Sequence, residues 1–314
     1  MTKNILLLEN LSLEKIQRLK ELAPNYQLVK EITEKNKEDI EIVLGWNEAV
    51  KNLIESDSSN VKWIQYIYAG VNHLPLNLFK RKNIQLSSGS GANAGAVAES
   101  TMGAILGISR NIIQAVKEQE KRNWFIPEKN MELKDKNIVI VGAGKIGEEI
   151  GRLAQAFQMN RIGINRSGRK INYMNEQYTQ GELIDLIHRG DFIINILPVT
   201  DQTRDFFDEK LFSKMKESAI FINVGRGETV LMEDLIDSLD NEEIAGAVLD
   251  VFEEEPLARN HPLWGYENVL ITPHIAGDVE SQMDHLFPIF IDNLSAYLKE
   301  NTLAHNEIDL EHGY

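Results

Sequence analysis

The stretch IVIVGAGKIG, residues 138–147, determines how the rest of this sequence can be arranged. Four apolar residues of high β-propensity run directly into a Gly-x-Gly-x-x-Gly pattern, and an amphipathic segment follows from Glu148 to Phe157. This order predicts a buried parallel strand that turns into a helix at its glycines. The alternative is a plain strand-to-helix turn that binds nothing.

The glycines of this stretch favour the first interpretation, a dinucleotide site. Gly142 permits the tight turn, Gly144 lets the backbone approach a pyrophosphate, and Gly147 lets helix and strand pack closely. At Lys145 and Ile146 the helix N-terminus offers unpaired N–H groups to the anion. We therefore expect a nucleotide cofactor at these five residues.

Composition limits the classes of function. The 314 residues are 43% hydrophobic and 26% charged, which is typical of a globular protein long enough for two domains. The net charge of −15 argues against nucleic-acid binding, and the lack of cysteine excludes disulfides and thiolate zinc sites. No metal site is predicted. The N-terminus lacks a signal-peptide core and no apolar run reaches membrane-spanning length, so we expect a cytoplasmic chain without a membrane partner.

Strands and helices alternate along the chain, which is the rhythm of a doubly wound parallel sheet. The predicted strands are Ile5–Leu8, Ile40–Leu44, Val61–Tyr68, Arg161–Ile164, Asp191–Leu197, Ala219–Val224, Ile244–Val251 and Asn268–Thr272. The predicted helices include Glu48–Glu55, Leu183–His188, Glu233–Leu239 and Ser281–Lys299. Residues 87–95 are small and predicted to be flexible, and one long helix, Ala96–Glu118, is expected after them.

The loop after the second strand of the nucleotide domain bears on the choice of cofactor. An NAD site places an acid there for the ribose 2′-hydroxyl, whereas an NADP site uses cationic contacts to a 2′-phosphate. This loop has no acid; it carries Asn165, Arg166, Ser167 and Arg169. A guanidinium and a hydroxyl suit a phosphate dianion, so we predict that NADPH is preferred and that NADH is the alternative. A solvated charged turn is the structural alternative.

Three later strands end in loops that carry reactive side chains. Arg226 lies in Val224-Gly225-Arg226-Gly227, the next loop follows Asp250, and His274 lies within Thr272–Gly277. Each loop alone is a weak signal, because such residues often cap helices or face solvent. Behind a dinucleotide pattern, the three loops together indicate an active site at the carboxyl edge of the sheet.

At these residues the sequence resembles the D-isomer-specific 2-hydroxyacid dehydrogenase family. The matching segments are Trp63–Gln65, Ala69–Val71, Gly142–Gly147, Leu197-Pro198, Asn223–Gly227, Asp250–Pro256, His261–Trp264 and Thr272–Gly277. The resemblance implies a Rossmann domain, residues 98–280, inserted into a smaller flavodoxin-like α/β substrate domain, residues 1–97 and 281–314. It also implies a homodimer joined through the dinucleotide-binding domains.

The resemblance assigns catalysis to Arg226, Glu255 and His274, and these roles are chemically reasonable. Reducing a 2-keto acid needs a hydride at the carbonyl carbon and a proton at the oxygen. An imidazole exchanges protons near neutral pH, and a carboxylate beside it favours its protonated form and fixes its orientation. His274 is therefore the predicted proton donor, and Arg226 is predicted to hold the substrate carboxylate and keto oxygen.

The remaining site residues apart from Trp46 are implied by the same resemblance. Trp46 is predicted from its place on a loop expected to face the substrate. The predicted cofactor contacts beyond the glycine turn and the Asn165–Arg169 loop are Leu197, Pro198, Thr203, Val224, Gly225, Asp250 and Gly277. The predicted substrate contacts besides Arg226 and His274 are Trp46, Ala69, Gly70 and Val71. For Trp46 and its neighbour Asn47 a role in tuning the substrate side chain competes with plain packing of the tryptophan.

The chain departs from the usual family pattern at two positions. Asn165 replaces the expected acid, and Gln158 stands where many members have glycine. These departures resemble the glyoxylate and hydroxypyruvate reductases more than the phosphoglycerate dehydrogenases. Our hypothesis is an NADPH-dependent reductase that converts a small 2-keto acid to a D-2-hydroxy acid. The alternatives are an NAD-linked dehydrogenase of the phosphoglycerate type and a non-catalytic protein that senses nucleotides.

Overall fold

A computed structural model describes residues 3–71 and 73–311. The strands are β1 (Lys3–Leu7), β2 (Tyr26–Val29), β3 (Ile40–Leu44), β4 (Trp63–Gln65), β5 (Gln85–Ser87), β6 (Asn137–Val141), β7 (Asn160–Asn165), β8 (Glu176–Thr179), β9 (Phe192–Asn195), β10 (Ile220–Asn223), β11 (Gly246–Leu249) and β12 (Val269–Ile271). The helices are α1 (Leu13–Leu22), α2 (Glu48–Glu55), α3 (Leu76–Lys82), α4 (Ala94–Ser109), α5 (Ile112–Glu120), α6 (Lys145–Ala156), α7 (Leu183–Leu186), α8 (Glu209–Phe212), α9 (Met232–Asp240) and α10 (Gln282–Glu300).

The chain divides into two compact units, each built on its own sheet. The first unit contains the residues up to Ala92 and those from Val279 onward, and the second runs from Asn93 to Asp278. The boundaries predicted from the sequence lay at 97/98 and 280/281. The second unit is therefore an insertion in the sequence of the first.

The first unit is a five-stranded parallel sheet in the order β2-β1-β3-β4-β5. This is the strand order of flavodoxin-like folds, as predicted. Its central strands are buried on both faces, so alternate residues enter two separate cores: Ile64 packs in one core and Trp63 in the other. Chain beyond α10 returns to this sheet, where Glu307 forms an antiparallel bridge with Ser87.

The second unit is a seven-stranded parallel sheet in the order β12-β11-β10-β9-β6-β7-β8. The chain winds outward from β6 to β8, returns to the other side of β6 and continues from β9 to β12. This confirms the predicted doubly wound Rossmann fold. A crevice for ligands is expected at the carboxyl ends of β6 and β9, where the direction of winding changes.

Strand β6 is buried on both faces because its apolar residues serve two cores. Val139 and Val141 enter one core, and Ile138 and Ile140 enter the core beneath α4 and α6. Complete burial of these four side chains explains why the sequence reads as an unbroken apolar run.

Two of the predictions about chain conformation are wrong. The single helix predicted over Ala96–Glu118 is two helices, because Asn111 adopts a left-handed backbone conformation with φ 55° between α4 and α5. The segment predicted to be small and flexible begins with ordered residues: Ser87 ends β5, and both it and Ser88 are buried.

Within the described residues, no helix combines the length and the apolar character needed to cross a membrane.

Candidate active site

The glycine turn after β6 leads directly into α6. Gly142 has φ 93°, and a Cβ on it would lie 2.8 Å from the backbone carbonyl atoms of Ile196. At Gly147 a Cβ would lie 3.2 Å from side-chain carbons of Ile140 and Ala143. Gly142 is therefore required by the protein's own backbone, and Gly147 allows α6 to pack closely against β6. Lys145 is exposed and Ile146 is half-buried in the first turn of α6, where backbone N–H groups lack helical acceptors.

Gly144, the N-cap residue of α6, differs from the other two glycines. A Cβ on it would meet only the carbonyl oxygen of Gly142, 3.8 Å away, so there is open space beside this backbone. A glycine that packing does not require, beside a helix N-terminus, fits close approach by a pyrophosphate.

A second feature of this edge also fits a dinucleotide. Asn165, which ends β7, is 8% exposed, and its Nδ2 donates to the carbonyl oxygen of Arg169 at 2.9 Å. That bond fixes the orientation of the amide, so Oδ1 faces the other way. No described residue donates to this buried oxygen. Ribose hydroxyls are donors of the kind that it lacks.

The loop after Asn165 presents polar groups to solvent. Arg166, Ser167 and Arg169 are all exposed, and Gly168 allows the turn between them with φ 67°. No carboxylate within residues 3–71 and 73–311 forms an ion pair with Arg169. The loop thus keeps a guanidinium available for an anion.

His274 and Glu255 form a pair although they are 19 residues apart. Nδ1 of His274 lies 2.7 Å from Oε2 of Glu255. The other carboxylate oxygen, Oε1, accepts a hydrogen bond from the backbone N–H of Phe252 at 3.0 Å. The imidazole is 50% exposed, so its Nε2 side is open to a ligand. The carboxylate therefore orients the ring, and the Phe252 backbone orients the carboxylate.

Asp250 lies beneath the loop that carries His274. It is 2% exposed, and its oxygens accept hydrogen bonds from the Thr272 hydroxyl at 2.5 Å and from the backbone N–H groups of Ile275 and Ala276 at 3.0 Å each. Its carbonyl also accepts from the His274 N–H at 2.8 Å. These contacts show that Asp250 holds the loop of His274 in place. The sequence predicted Asp250 only as a cofactor contact and did not predict this structural role.

Arg226 lies in the loop after β10. Its side chain is half-buried, and one terminal nitrogen donates to the carbonyl of Gly225 at 2.7 Å. The Arg226 carbonyl accepts hydrogen bonds from Nδ2 of Asn223 at 3.2 Å and from the Thr229 hydroxyl at 2.7 Å. The backbone that carries the guanidinium is thus held by buried polar groups.

Backbone-to-backbone packing joins neighbouring loops at this edge. A Cβ on Gly225 would lie 2.9 Å from Cα of Ile196, so the loops after β9 and β10 touch through their main chains. A Cβ on Gly227 would overlap the carbonyl of Phe252, so the loops after β10 and β11 touch in the same way. The loops that carry Arg226 and Glu255 are therefore in direct contact.

The other predicted cofactor residues of the second unit lie on the same loops. Leu197 is buried, and Thr203 closes the loop by donating its hydroxyl to the Pro198 carbonyl at 2.6 Å. Val224 is half-buried, and its N–H bonds the carbonyl of Asn195 at 3.1 Å. Gly277 lies against Asn93, whose amide would be 2.3 Å from a Cβ at this position.

The predicted substrate residues of the first unit lie at the carboxyl ends of β3 and β4. Trp46 is half-buried and packs edge-on against Phe79, with ring centroids 5.2 Å apart. Asn47 caps α2 by accepting from the Val50 N–H at 3.0 Å. Ala69 and Gly70 are half-buried, and Val71 is buried in the core of this unit. The packing of Trp46 agrees with the structural alternative stated for it.

Two residues close to Arg226 were not predicted from the sequence as part of the site. Asn195 and Thr229 are both fully buried, and they hydrogen-bond each other at 2.7 Å. A signal was available: Asn195 is a polar residue inside the predicted buried strand Asp191–Leu197, where an unpaired amide would be costly.

Known proteins share this combination of sequence and fold. A family model described as D-isomer specific 2-hydroxyacid dehydrogenase, NAD binding domain, matches residues 102–276. A glyoxylate reductase from Thermofilum pendens is 33% identical over 76% of this chain and 73% of its own. A D-3-phosphoglycerate dehydrogenase from Methanocaldococcus jannaschii is 30% identical over 89% of this chain and 53% of its own.

A solved structure extends the similarity to nearly the whole chain. It is that of an NADPH-dependent glyoxylate/hydroxypyruvate reductase from Sinorhizobium meliloti in complex with NADP and sulfate. The TM-score is 0.79 at 25% identity, over 99% of this chain and 100% of that chain.

The fold and the site define an NAD(P)-dependent oxidoreductase. The chain belongs to the D-isomer specific 2-hydroxyacid dehydrogenase family. The predicted family and enzyme class are thereby confirmed, and small hydroxy or keto acids are the substrates expected of this family.

Proposed function

We propose that this enzyme reduces a small 2-keto acid to a D-2-hydroxy acid with NADPH. The observation that carries the proposal is the pair formed by Glu255 and His274, 2.7 Å apart, with the imidazole half exposed. The dinucleotide, when bound, supplies the hydride for the carbonyl carbon. The protein's task is to bind and orient the keto acid and to deliver a proton to its oxygen.

His274 delivers that proton from Nε2. Its Nδ1 faces the Glu255 carboxylate, so Nδ1 keeps its hydrogen and Nε2 is the atom that gains and loses a proton during turnover. Because Phe252 holds Oε1 of the carboxylate, the ring keeps one orientation.

Arg226 binds the keto acid through its guanidinium. Two parallel N–H groups suit the substrate carboxylate, and the positive charge stabilises the negative charge that develops on the keto oxygen. The loop's contact with the Phe252 backbone keeps the arginine beside the loop of Glu255.

The preference for NADPH is supported by the loop after β7. Asn165 leaves this loop without the carboxylate that would repel a 2′-phosphate, and the exposed Ser167 and Arg169 offer a hydroxyl and a cation. The S. meliloti reductase that the chain resembles is NADPH-dependent.

Turnover with a panel of keto acids tests the reaction. NADPH oxidation should be followed with glyoxylate, hydroxypyruvate, pyruvate and branched 2-keto acids, and 3-phosphoglycerate should be tested with NAD in the oxidative direction. We expect reduction of at least one small keto acid. Tight nucleotide binding without any turnover would instead favour a sensing protein, and efficient oxidation of 3-phosphoglycerate would favour the NAD-linked alternative.

A comparison of specificity constants tests the cofactor preference. We expect a higher kcat/KM for NADPH than for NADH. Arg169→Gln should lower only the NADPH value, because the 2′-phosphate is absent from NADH. Arg152→Gln, which removes an exposed arginine paired with Glu149, is the matched control and should change neither value. Equal constants for the two cofactors in the wild type would contradict the preference.

We further propose a homodimer joined through the second unit. Four large apolar side chains on and after α5 are strongly exposed: Ile112 and Val116 at 53%, Ile126 at 76% and Trp124 at 90%. Large apolar side chains left exposed along one stretch of chain are typical of a protein–protein interface. Sedimentation should show a dimer that dissociates in the double variant Trp124→Ser, Ile126→Ser. Leu13→Ser, at an 86% exposed leucine of the first unit, should remain dimeric. A monomeric wild type would refute the proposal.

A further inference from the structure

Three polar side chains form a connected network beneath the loops of the second sheet. Asn195, Asn223 and Thr229 are at most 1% exposed. Asn195 and Asn223 are direct partners in the register of β9 and β10, at the carboxyl ends of both strands. Buried amides and hydroxyls are stable only when they are hydrogen-bonded, so each contact in this network matters.

Asn195 connects two loops through opposite ends of its amide. Its Oδ1 accepts from the backbone N–H of Leu197 at 3.1 Å, in the loop after β9. Its Nδ2 donates to Oδ1 of Asn223 at 3.1 Å and to the hydroxyl of Thr229 at 2.7 Å. The oxygen can only accept and the nitrogen can only donate, so these partners define a single orientation of the side chain.

The network ends on the backbone of Arg226. The Thr229 hydroxyl accepts a hydrogen bond from Asn195 and donates one to the Arg226 carbonyl at 2.7 Å. Nδ2 of Asn223 donates to the same carbonyl at 3.2 Å, while its Oδ1 also accepts from the Gly225 N–H at 3.1 Å. Two hydrogen-bonded paths from Asn195, one through Thr229 and one through Asn223, thus converge on the Arg226 carbonyl.

We infer that Asn195 and Thr229 are positioning residues that set where Arg226 presents its guanidinium. The inference rests on the proposed function, in which Arg226 binds the keto acid. The long arginine side chain extends from a backbone whose carbonyl is fixed by this network. Because Asn195 also holds the Leu197 N–H, one side chain aligns the arginine loop with a loop predicted to contact the cofactor.

Substrate binding should therefore depend on Asn195 and Thr229, although neither side chain contacts the substrate. A displacement of the Arg226 backbone by about 1 Å would misalign the guanidinium with the carboxylate and keto oxygen, and misplacements of this size lower rates by about 100-fold. The nucleotide phosphates, which are predicted to bind the glycine turn, would be little affected.

A pair of substitutions at Thr229 tests the inference. Thr229→Val keeps the shape and removes the hydroxyl, whereas Thr229→Ser keeps the hydroxyl. We expect Thr229→Val to raise KM for the keto acid and to lower kcat/KM by about 10- to 100-fold, with the Kd of NADPH unchanged within about twofold. Thr229→Ser should restore most of the activity.

Ser238→Ala provides a matched control for loss of a buried hydroxyl. Ser238 is 1% exposed, and its Oγ donates to the Leu235 carbonyl at 2.9 Å within α9. This variant should lower thermal stability without changing KM or kcat. Asn195→Leu is the second test variant, should Thr229→Val fail to fold, and it should raise the same KM.

Oxamate, an unreactive 2-keto acid analogue, gives a readout that needs no turnover. Its Kd on NADPH-loaded protein should rise at least tenfold in Thr229→Val and stay near the wild-type value in Thr229→Ser. Unchanged oxamate affinity in folded Thr229→Val and Asn195→Leu would overturn the inference, as would equal losses in the valine and serine variants. A wild type that binds oxamate but reduces no keto acid would instead refute the proposed function.

Discussion

His274 combines an exposed imidazole with a constrained backbone. Its φ is 56°, in the left-handed region, and its N–H is held by the carbonyl of Asp250 at 2.8 Å. Asp250 also accepts from the backbone of Ile275 and Ala276, so the residues on the C-terminal side of the histidine are fixed as well. The freedom that remains at this residue is mainly that of the side chain, and Glu255 restricts the ring.

Replacing His274 removes the proposed proton donor while leaving these backbone contacts intact. We expect His274→Gln to lower kcat by about 100- to 10,000-fold, the usual range for a lost general acid. The Kd of NADPH should change less than twofold, because the dinucleotide phosphates do not depend on the imidazole. Stopped-flow kinetics and nucleotide fluorescence measure the two quantities. Turnover within tenfold of the wild type would show that another group donates the proton.

Gln158 occupies a left-handed position that favours glycine. Its φ is 57° in the turn between α6 and β7, and its side chain is exposed. Gln158→Gly should remove about 1–2 kcal/mol of left-handed strain and introduce about 0.5–1 kcal/mol of chain entropy. The expected net gain is about 0.5–1 kcal/mol in the free energy of unfolding, measured by urea denaturation.

The same change three residues earlier is the control for Gln158. Gln155 is exposed within α6, where glycine costs about 1 kcal/mol relative to better helix formers. Gln155→Gly should therefore lower stability. A loss of stability in Gln158→Gly would contradict the strain argument.

Two glycines of the turn between β6 and α6 have different proposed roles, Gly142 in packing and Gly144 in ligand binding. Gly142 has both a positive φ and a backbone carbonyl 2.8 Å from any Cβ, whereas Gly144 has open space. Gly142→Ala should lower the free energy of unfolding by several kcal/mol or prevent folding.

The matched variant Gly144→Ala should fold with nearly wild-type stability and bind NADPH at least tenfold more weakly, because its methyl group would occupy space left for the pyrophosphate. Thermal unfolding and nucleotide titration measure the two effects. Wild-type nucleotide affinity in folded Gly144→Ala would refute the assignment of the phosphate site.

Elements were predictable from the sequence where burial produced a strong pattern. All strands of the second sheet except β8 were predicted from the sequence, because the central residues of each strand form a continuous apolar run. Strand β8 was missed because Glu176–Thr179 is polar and only half-buried, and β2 and β5 were missed because they are short edge strands. The break between α4 and α5 depends on the left-handed backbone conformation of Asn111, which the pattern of apolar residues does not reveal.

The candidate site was predictable to the level of its loops and reactive side chains. Arg226, Glu255 and His274 follow strands that end at one edge, so their loops could be grouped from the sequence alone. The family resemblance placed the Glu255 carboxylate beside His274, whereas the hydrogen bonds of Asn195 depend on rotamers and on three-dimensional register. Sequence spacing does not contain that information, which is why the supporting network was missed.

At the scale of the molecule, one carboxylate joins four elements of the first unit. Glu41 of β3 accepts from Tyr26 of β2 at 2.6 Å and from Tyr297 of α10 at 3.2 Å, and it forms a 2.7 Å ion pair with Lys3 of β1. Burial alone would raise the pKa of Glu41, but the hydrogen bonds from Lys3, Tyr26 and Tyr297 outweigh burial and lower it.

This lowered pKa predicts how stability depends on pH. A carboxyl whose pKa is lowered by folding stabilises the native state above its unfolded pKa, about 4.3 for glutamate, and the contribution is lost as pH falls through the folded value. Glu41→Gln should therefore lower the free energy of unfolding by about 1–2 kcal/mol at pH 7. The difference in Tm should shrink as the pH falls below about 4. A constant difference from pH 7 to pH 3 would exclude this role.

The packing around the glycine turn also determines which damaging substitutions a second change can repair. A Cβ at Gly142 or Gly225 meets the main chain of Ile196, which every residue at that position shares, so no replacement of Ile196 creates room. A Cβ at Gly147 instead meets side-chain atoms, among them Cδ1 of Ile196 at 3.3 Å. A genetic selection for suppressors should therefore recover Ile196→Val as partial compensation for Gly147→Ala, and should recover no change at Ile196 for Gly142→Ala.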